Sequence, residues 1–318
     1  MSNFVTSSSG PLRGTIKVPG DKSISHRSIM LGSIADGVTR VSGFLEGEDS
    51  LATLNAFKEM GVKIERDGSS VVIHGVGMRG LKKPKNPLKL GNSGTSIRLM
   101  SGLLSAQEFD SELCGDESLS TRPMGRVIKP LREMGADISG NDSKPPLTII
   151  GGKQLIAIEY TLPVASAQIK SCLLLAGLYS EGMTSIIENG ISRDHTERML
   201  KHFGANIKIT AEDSKNIIQL APLNHLNAKN YTVVGDISSA AFLMVAALIS
   251  DSPGLEITNV GMNPSRTGIL LALQKMGADI EVRNQRLESG EPCADLKIKK
   301  SILRGVELSG DIIPNIID

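Results

Sequence analysis

Lys22, Ser23 and Arg27 stand within about one helical turn of each other, directly after the small-residue turn Pro19-Gly20-Asp21. A helix start offers unpaired backbone N–H groups and the positive end of the helix dipole. Two cationic side chains beside it make a phosphate cradle. The same grammar recurs at Asn92, Ser93, Gly94, Thr95 and Arg98, and again at Ser166, Gln168 and Lys170. Ordinary N-capping with solvated basic heads explains any one of these turns alone. Three turns of like composition in phase point to anions held at helix starts. Arg122 is followed by Pro123, which fixes the chain and presents the guanidinium from a rigid helix entry; an exposed arginine near a helix end is the plainer alternative.

Other polar positions are less specific. Arg193, Asp194, His195 and Glu197 precede an apolar helix, where His195 can cap or pair ionically. Asp236 and Asp311 occupy matching Gly-Asp-Ile turns. Near a cation-lined cleft either can titrate or orient a Lys or Arg, and simple helix capping is the plainer, favoured account of both. His26, His74, His202 and His225 are scattered singles, so no metal site is expected. Gly91-Asn92-Ser93-Gly94-Thr95-Ser96 lacks the ending of a Walker loop, and neither a dinucleotide fingerprint nor a nucleophile elbow occurs. Cys172 lies in an apolar run and reads as core.

The elements that carry these residues repeat. An apolar-periodic helix runs to a large apolar residue and a glycine, then to an alternating strand, at Gly61, Gly135, Gly204 and Gly277. In step with it, the small-residue turns lead into helices predicted at 24–35, 96–104, 169–178 and 240–249. Both landmarks report a period of about 70 residues, longer than solenoid repeats and right for a wedge of mixed helix and strand. Short strands are expected at 71–74, 147–150, 217–220 and 231–234. Gly310-Asp311-Ile312-Ile313-Pro314 reads as the opening of a fifth unit, so the sequence is expected to be a fragment of a longer repeat series.

Composition narrows the class. With 35 Lys plus Arg against 34 Asp plus Glu, the chain is neither a strongly basic nucleic-acid binder nor an acidic disordered segment. Tryptophan is absent and aromatics are 3%, which argues against a base-stacking surface. No run approaches the roughly 18 apolar residues of a membrane span. The start lacks the apolar middle of a secretory signal. Cys114, Cys172 and Cys293 form an odd, widely spaced set, so neither a disulfide framework nor a cysteine zinc site is expected, and a cytoplasmic setting is.

Pro19-Gly20-Asp21-Lys22-Ser23-Ile24-Ser25-His26-Arg27 resembles the opening motif of the 5-enolpyruvylshikimate-3-phosphate synthase family, and Leu90-Gly91-Asn92-Ser93-Gly94-Thr95-Ser96-Ile97-Arg98-Leu99 its second signature. Arg122-Pro123-Met124, Ser166-Ala167-Gln168-Ile169-Lys170-Ser171, Ser192-Arg193-Asp194-His195-Thr196-Glu197, Gly235-Asp236-Ile237-Ser238-Ser239-Ala240 and Asp311-Ile312-Ile313-Pro314 match further motifs, so the resemblance spans essentially the whole chain. It implies an α/β (α+β) fold, an enolpyruvyltransferase-like inside-out α/β barrel of two domains built from βαβαββ units, the second incomplete here. Residues 21–234 would form the complete domain. Residues 1–20 and 235–318 would form a discontinuous one, truncated in its second unit.

The implied activity joins the enolpyruvyl group of phosphoenolpyruvate to the 5-hydroxyl of shikimate 3-phosphate, releasing phosphate, on the path to chorismate. The resemblance assigns shikimate 3-phosphate to Lys22, Ser23, Arg27, Ser166, Gln168, Arg193 and Asp311. It assigns phosphoenolpyruvate to Lys22, Gly94, Arg122 and Gln168. Asp311 and Lys22 are the implied catalytic residues, with Asp311 the acid/base at the 5-hydroxyl. It implies no metal, no cofactor, no nucleic-acid or membrane partner, and a monomer. Gly94 is the small residue of glyphosate-sensitive relatives, so inhibition by glyphosate is expected, although Ala167 follows the less sensitive subclass. The family's later Lys-Glu-x-x-Arg segment has no match, and the 318-residue chain alone is expected to turn over negligibly. UDP-N-acetylglucosamine enolpyruvyltransferase is the nearest alternative, but that family pairs the early lysine with asparagine rather than Ser23. A noncatalytic phosphate-binding module is the other.

Overall fold

Gly61, Gly135, Gly204 and Gly277 all take a left-handed backbone, with φ of 87°, 92°, 96° and 93°. After each, the next N–H reaches back to the last helical turn, as in Val62 N to Phe57 O at 3.1 Å and Ala278 N to Leu273 O at 3.0 Å. That cap ends the helix and turns the chain into a strand, and a Cβ at the glycine would strain it.

The computed structural model describes residue 5 and residues 10–212 and 215–316. The chain begins with β1 (Arg13–Lys17), then α1 (Lys22–Ile34), β2 (Asp36–Ser42), α2 (Glu48–Glu59), β3 (Lys63–Asp67) and β4 (Ser70–Val76). The next repeat is β5 (Leu88–Lys89), α3 (Gly94–Leu104), β6 (Ser111–Cys114), α4 (Glu117–Ser120), α5 (Gly125–Glu133), β7 (Asp137–Asn141) and β8 (Lys144–Ile150). A third follows as β9 (Glu159–Thr161), α6 (Ala167–Gly177), β10 (Thr184–Asn189), α7 (His195–His202), β11 (Ile207–Glu212) and β12 (Lys215–Leu220). After β13 (Tyr231–Thr232) come α8 (Ile237–Ile249), β14 (Gly254–Gly261), α9 (Gly268–Lys275), β15 (Asp279–Glu288), β16 (Glu291–Lys299) and α10 (Ile313–Ile316).

Two compact units result. Gly20–Val233 forms one, and the residues up to Pro19 join those from Val234 onward in the other. Among the described residues there are four separate four-stranded sheets with one shared plan: β13-β2-β4-β3, β5-β6-β8-β7, β9-β10-β12-β11 and β1-β14-β16-β15. In each, the first pair is parallel and the others antiparallel. The first sheet takes its outer strand, β13, from the far end of its unit, while β1 serves the sheet of β14.

The inside-out barrel inferred from resemblance is corrected here to an α/β fold of separate open sheets. Among the described residues no sheet closes on itself. Each ends in a hairpin strand, β3, β7, β11 or β15, bonded only to its own partner, and within the Gly20–Val233 unit helices of successive repeats pack on each other, as α3 does on α6.

In the Gly20–Val233 unit every residue of α1 from Ile24 to Ile34 is buried, and α3 packs on α6. A Cβ on Gly102 of α3 would lie 2.0 Å from the Cys172 carbonyl oxygen of α6, so the two backbones touch where only glycine fits. In the other unit α8 buries Ala240, Met244, Ala247 and Leu248 against Ile257, Leu273 and Leu296. Helices α1, α3, α6 and α8 each begin earlier than apolar patterning indicates, because Asp21, Ser93, Ser166 and Asp236 cap them. Lys22, Ser23, Gly94 and Gln168 therefore lie within first helical turns.

Candidate anion-binding site

The caps come first. Asp21 accepts from Ile24 N at 2.9 Å, Ser93 from Ser96 N at 3.1 Å and Ser166 from Ile169 N at 3.5 Å. These bonds place the openings of α1, α3 and α6 in one unit, linked by side chains. His26 Nδ1 lies 2.7 Å from Thr53 Oγ1 of α2, and Thr53 lies 2.6 Å from Ser96 Oγ of α3. Burial, reinforced by the positive charge of Arg27, lowers His26 from 6.5 to about 3, so this seam is held by a neutral imidazole.

Around Gly94 the side chains are cationic. A Cβ there would stand 2.7 Å from Arg98 Nη1 and 3.2 Å from Arg122 Nη1. Arg98 Nη1 donates to Gly94 O and to Gln168 Oε1, both at 3.1 Å, and Gln168 Nε2 donates to Thr95 Oγ1 at 3.2 Å. Arg122 donates to Asn92 Oδ1 and, at 3.4 Å, to Ser118 Oγ. Burial first, then the like charges of Arg122 and Arg126, lower the Arg98 guanidinium from its ordinary value. Crowded guanidiniums of this kind favour an anion between them. Gly94, Arg122 and Gln168 are thus brought together, with Arg98 joining them.

Arg27 is buried and donates Nε to Thr196 Oγ1 at 2.6 Å, Nη2 to Ser171 Oγ at 2.7 Å and Nη1 to Ser23 O at 2.9 Å. It braces the Ser23 turn against α6 and α7. Lys22 is half exposed and pairs with Asp49 Oδ2 of α2 at 3.0 Å. Ser166 heads α6, and Arg193 lies in the segment just before α7. Asp311 falls in the 3-10 turn Gly310–Ile312 of the other unit, and its side chain lies outside the described residues.

One polar reading changes, and Asp236 is the helix cap that its turn indicates. Lys170 does not present its charge to an anion: it is buried and pairs with Glu197 at 2.7 Å and Glu188 at 2.9 Å. A lysine near a helix start looks the same in sequence whichever way packing turns it. Asp236 caps α8 through Ser238 N at 2.9 Å and pairs with Arg266 at 2.7 Å, a structural arrangement. Sequence reasoning gave no role to Asp49, which stands in no quoted motif, to Ser171 and Thr196, which lie within matched motifs but had no role of their own, or to Arg126, although it stands in the same short segment as Arg122. Among the described residues no three His, Cys, Asp or Glu side chains gather as a metal-binding group, and no helix is long and apolar enough to cross a membrane.

The family model for EPSP synthase (3-phosphoshikimate 1-carboxyvinyltransferase) matches residues 6–312. The chain is 57% identical over 318 residues to a 3-phosphoshikimate 1-carboxyvinyltransferase of Ruthia magnifica, covering 100% of this chain and 72% of that protein. It is 54% identical to one of Legionella pneumophila, covering 100% and 73%. A solved EPSP synthase structure from Acinetobacter baumannii superposes with a TM-score of 0.89 at 54% identity, over 96% of this chain and 69% of that one.

Proposed function

Because the chain belongs to the EPSP synthase (3-phosphoshikimate 1-carboxyvinyltransferase) family, we propose that it transfers the enolpyruvyl group of phosphoenolpyruvate to the 5-hydroxyl of shikimate 3-phosphate and releases inorganic phosphate. The observation that carries this reading is the guanidinium crowd at Gly94, where Arg98 and Arg122 approach a position without a side chain and Gln168 spans to Arg98. Phosphoenolpyruvate brings a carboxylate and a phosphate, and planar guanidiniums grip such groups with two parallel hydrogen bonds. Lys22 lies at the opening of α1 and serves both anions. Ser23, Ser166, Gln168 and Arg193 take shikimate 3-phosphate, with Arg27 supplying buried positive charge behind Ser23.

Two highly anionic substrates repel in water. Fixed cations and helix-start N–H groups remove that barrier and hold the 5-hydroxyl at reacting distance from C2. A proton added to the enolpyruvyl methylene makes C2 electrophilic. The hydroxyl oxygen bonds to C2 and loses its proton, and the tetrahedral adduct then loses a methyl proton and expels phosphate, restoring the double bond. The acid/base role is carried over to Asp311, with Lys22 beside the transferring charge. A reducing, cytoplasmic setting accords with three free cysteines.

The test is phosphate release by the chain extended to the full length of its relatives, of which these residues cover 72%, with phosphoenolpyruvate as donor and either shikimate 3-phosphate or UDP-N-acetylglucosamine as acceptor. Release is expected with the first alone. Release with UDP-N-acetylglucosamine alone, or binding of shikimate 3-phosphate unaffected by replacing Arg193 and Ser166, would overturn the assignment.

A further inference from the structure

Lys170 is the largest charged side chain fully enclosed among the described residues, and its ammonium joins segments that flank Arg193. Nζ contacts Glu188 Oε1 at the end of β10 and Glu197 Oε1 in the first turn of α7. Glu188 Oε2 in turn accepts from Ser192 Oγ at 2.6 Å, so the segment between β10 and α7 is tied at the residue next to Arg193. The neighbouring residues make a second rung between α6 and α7. Ser171 Oγ lies 2.6 Å from Thr196 Oγ1, and both hydroxyls accept from Arg27. An ionic rung, Lys170–Glu197, therefore sits beside the hydroxyl rung that seats Arg27.

A hydrophobic residue would fill this volume with less desolvation, so the buried charge is poorly explained by stability alone. Glu197 Oε2 finds no hydrogen-bond partner among the described residues, which marks a cluster with more carboxylate than one ammonium satisfies. Burial by itself would lower Lys170, but Glu197 and then Glu188 outweigh it and hold the ammonium above its ordinary value. The cluster keeps its cation throughout the working pH range.

We propose that Lys170 is a positioning residue for shikimate 3-phosphate: through Glu188 and Ser192 it fixes Arg193, and through Glu197 it fixes the Ser171–Thr196 seat of Arg27. This rests on the reading that Arg193 and Arg27 serve that substrate. Lys170 contacts neither substrate in this scheme, so its effect falls on the acceptor and leaves phosphoenolpyruvate untouched.

Isothermal titration of the 318-residue protein with shikimate 3-phosphate tests it, in Ser192→Ala, Lys170→Met, Arg193→Ala and the Ser192→Ala/Arg193→Ala double variant, with thermal melts to check folding. Ser192→Ala is expected to weaken binding about five-fold and Lys170→Met about ten-fold or more. In the Arg193→Ala background Ser192→Ala is expected to cost nothing further, which a merely structural role would not produce. Should Lys170→Met fail to fold, Ser192→Ala and its double variant decide. Unchanged affinity in Ser192→Ala, or the same loss with and without Arg193, overturns the inference alone. Parental affinity in Arg193→Ala overturns the site reading and this inference with it.

Discussion

A methyl group at position 94 has no room beside the Arg98 and Arg122 guanidiniums, whose nearest nitrogens would stand 2.7 and 3.2 Å from it. Both are ends of flexible side chains, so the fold can yield while the site cannot. Gly94→Ala is expected to keep or raise the melting temperature, since alanine favours a helical turn. In the chain extended to its relatives' full length it should weaken phosphoenolpyruvate about ten-fold and glyphosate at least as much, read as a change in KM against phosphoenolpyruvate and in the inhibition constant. A second residue-scale effect concerns acid stability. The unfolded chain protonates its His26 as pH falls below 6.5, whereas the folded protein keeps it neutral down to about 3. Stability is therefore full above 6.5 and declines on acidification by about 1.4 kcal/mol per pH unit across that window. His26→Asn, which retains a polar partner for Thr53, is expected to flatten this decline in thermal melts between pH 6.5 and 5.

Elements set where those residues can act. The contact of α3 with α6 passes through Gly102, where a Cβ would meet a carbonyl oxygen at 2.0 Å. Backbone cannot move aside as a guanidinium does. Gly102→Ala is expected to lower stability by about 3 kcal/mol, seen in denaturant unfolding, and to loosen the Arg98–Gln168 bridge between the same helices. Much of this layer was legible: the four glycine stops and the polar turns before α1, α3, α6 and α8 are local signals that need no tertiary knowledge. Helix starts were read late because the capped first turns carry Lys22, Gly94 and Gln168 in place of apolar residues. The inward aim of Lys170 was not legible, since it depends on Glu188 and Glu197 arriving from another strand and helix.

At the scale of the molecule, periodicity announces repeated units but not how their strands join. The hydrogen-bond register that would close a barrel is long-range, and resemblance supplied a closure that the four open sheets do not have. Pairing over such distance is seen at β1 and β13, each of which joins a strand far along the chain, Thr15 with Glu256 across 241 positions and Ser42 with Thr232 across 190. Synthesis runs at about 5–20 residues per second, so β1 leaves the ribosome on the order of tens of seconds before its neighbour exists. Until Gly254–Gly261 is made, the backbone of Arg13–Lys17 stays an unpaired edge, and the cations at its two ends guard it against pairing with other chains.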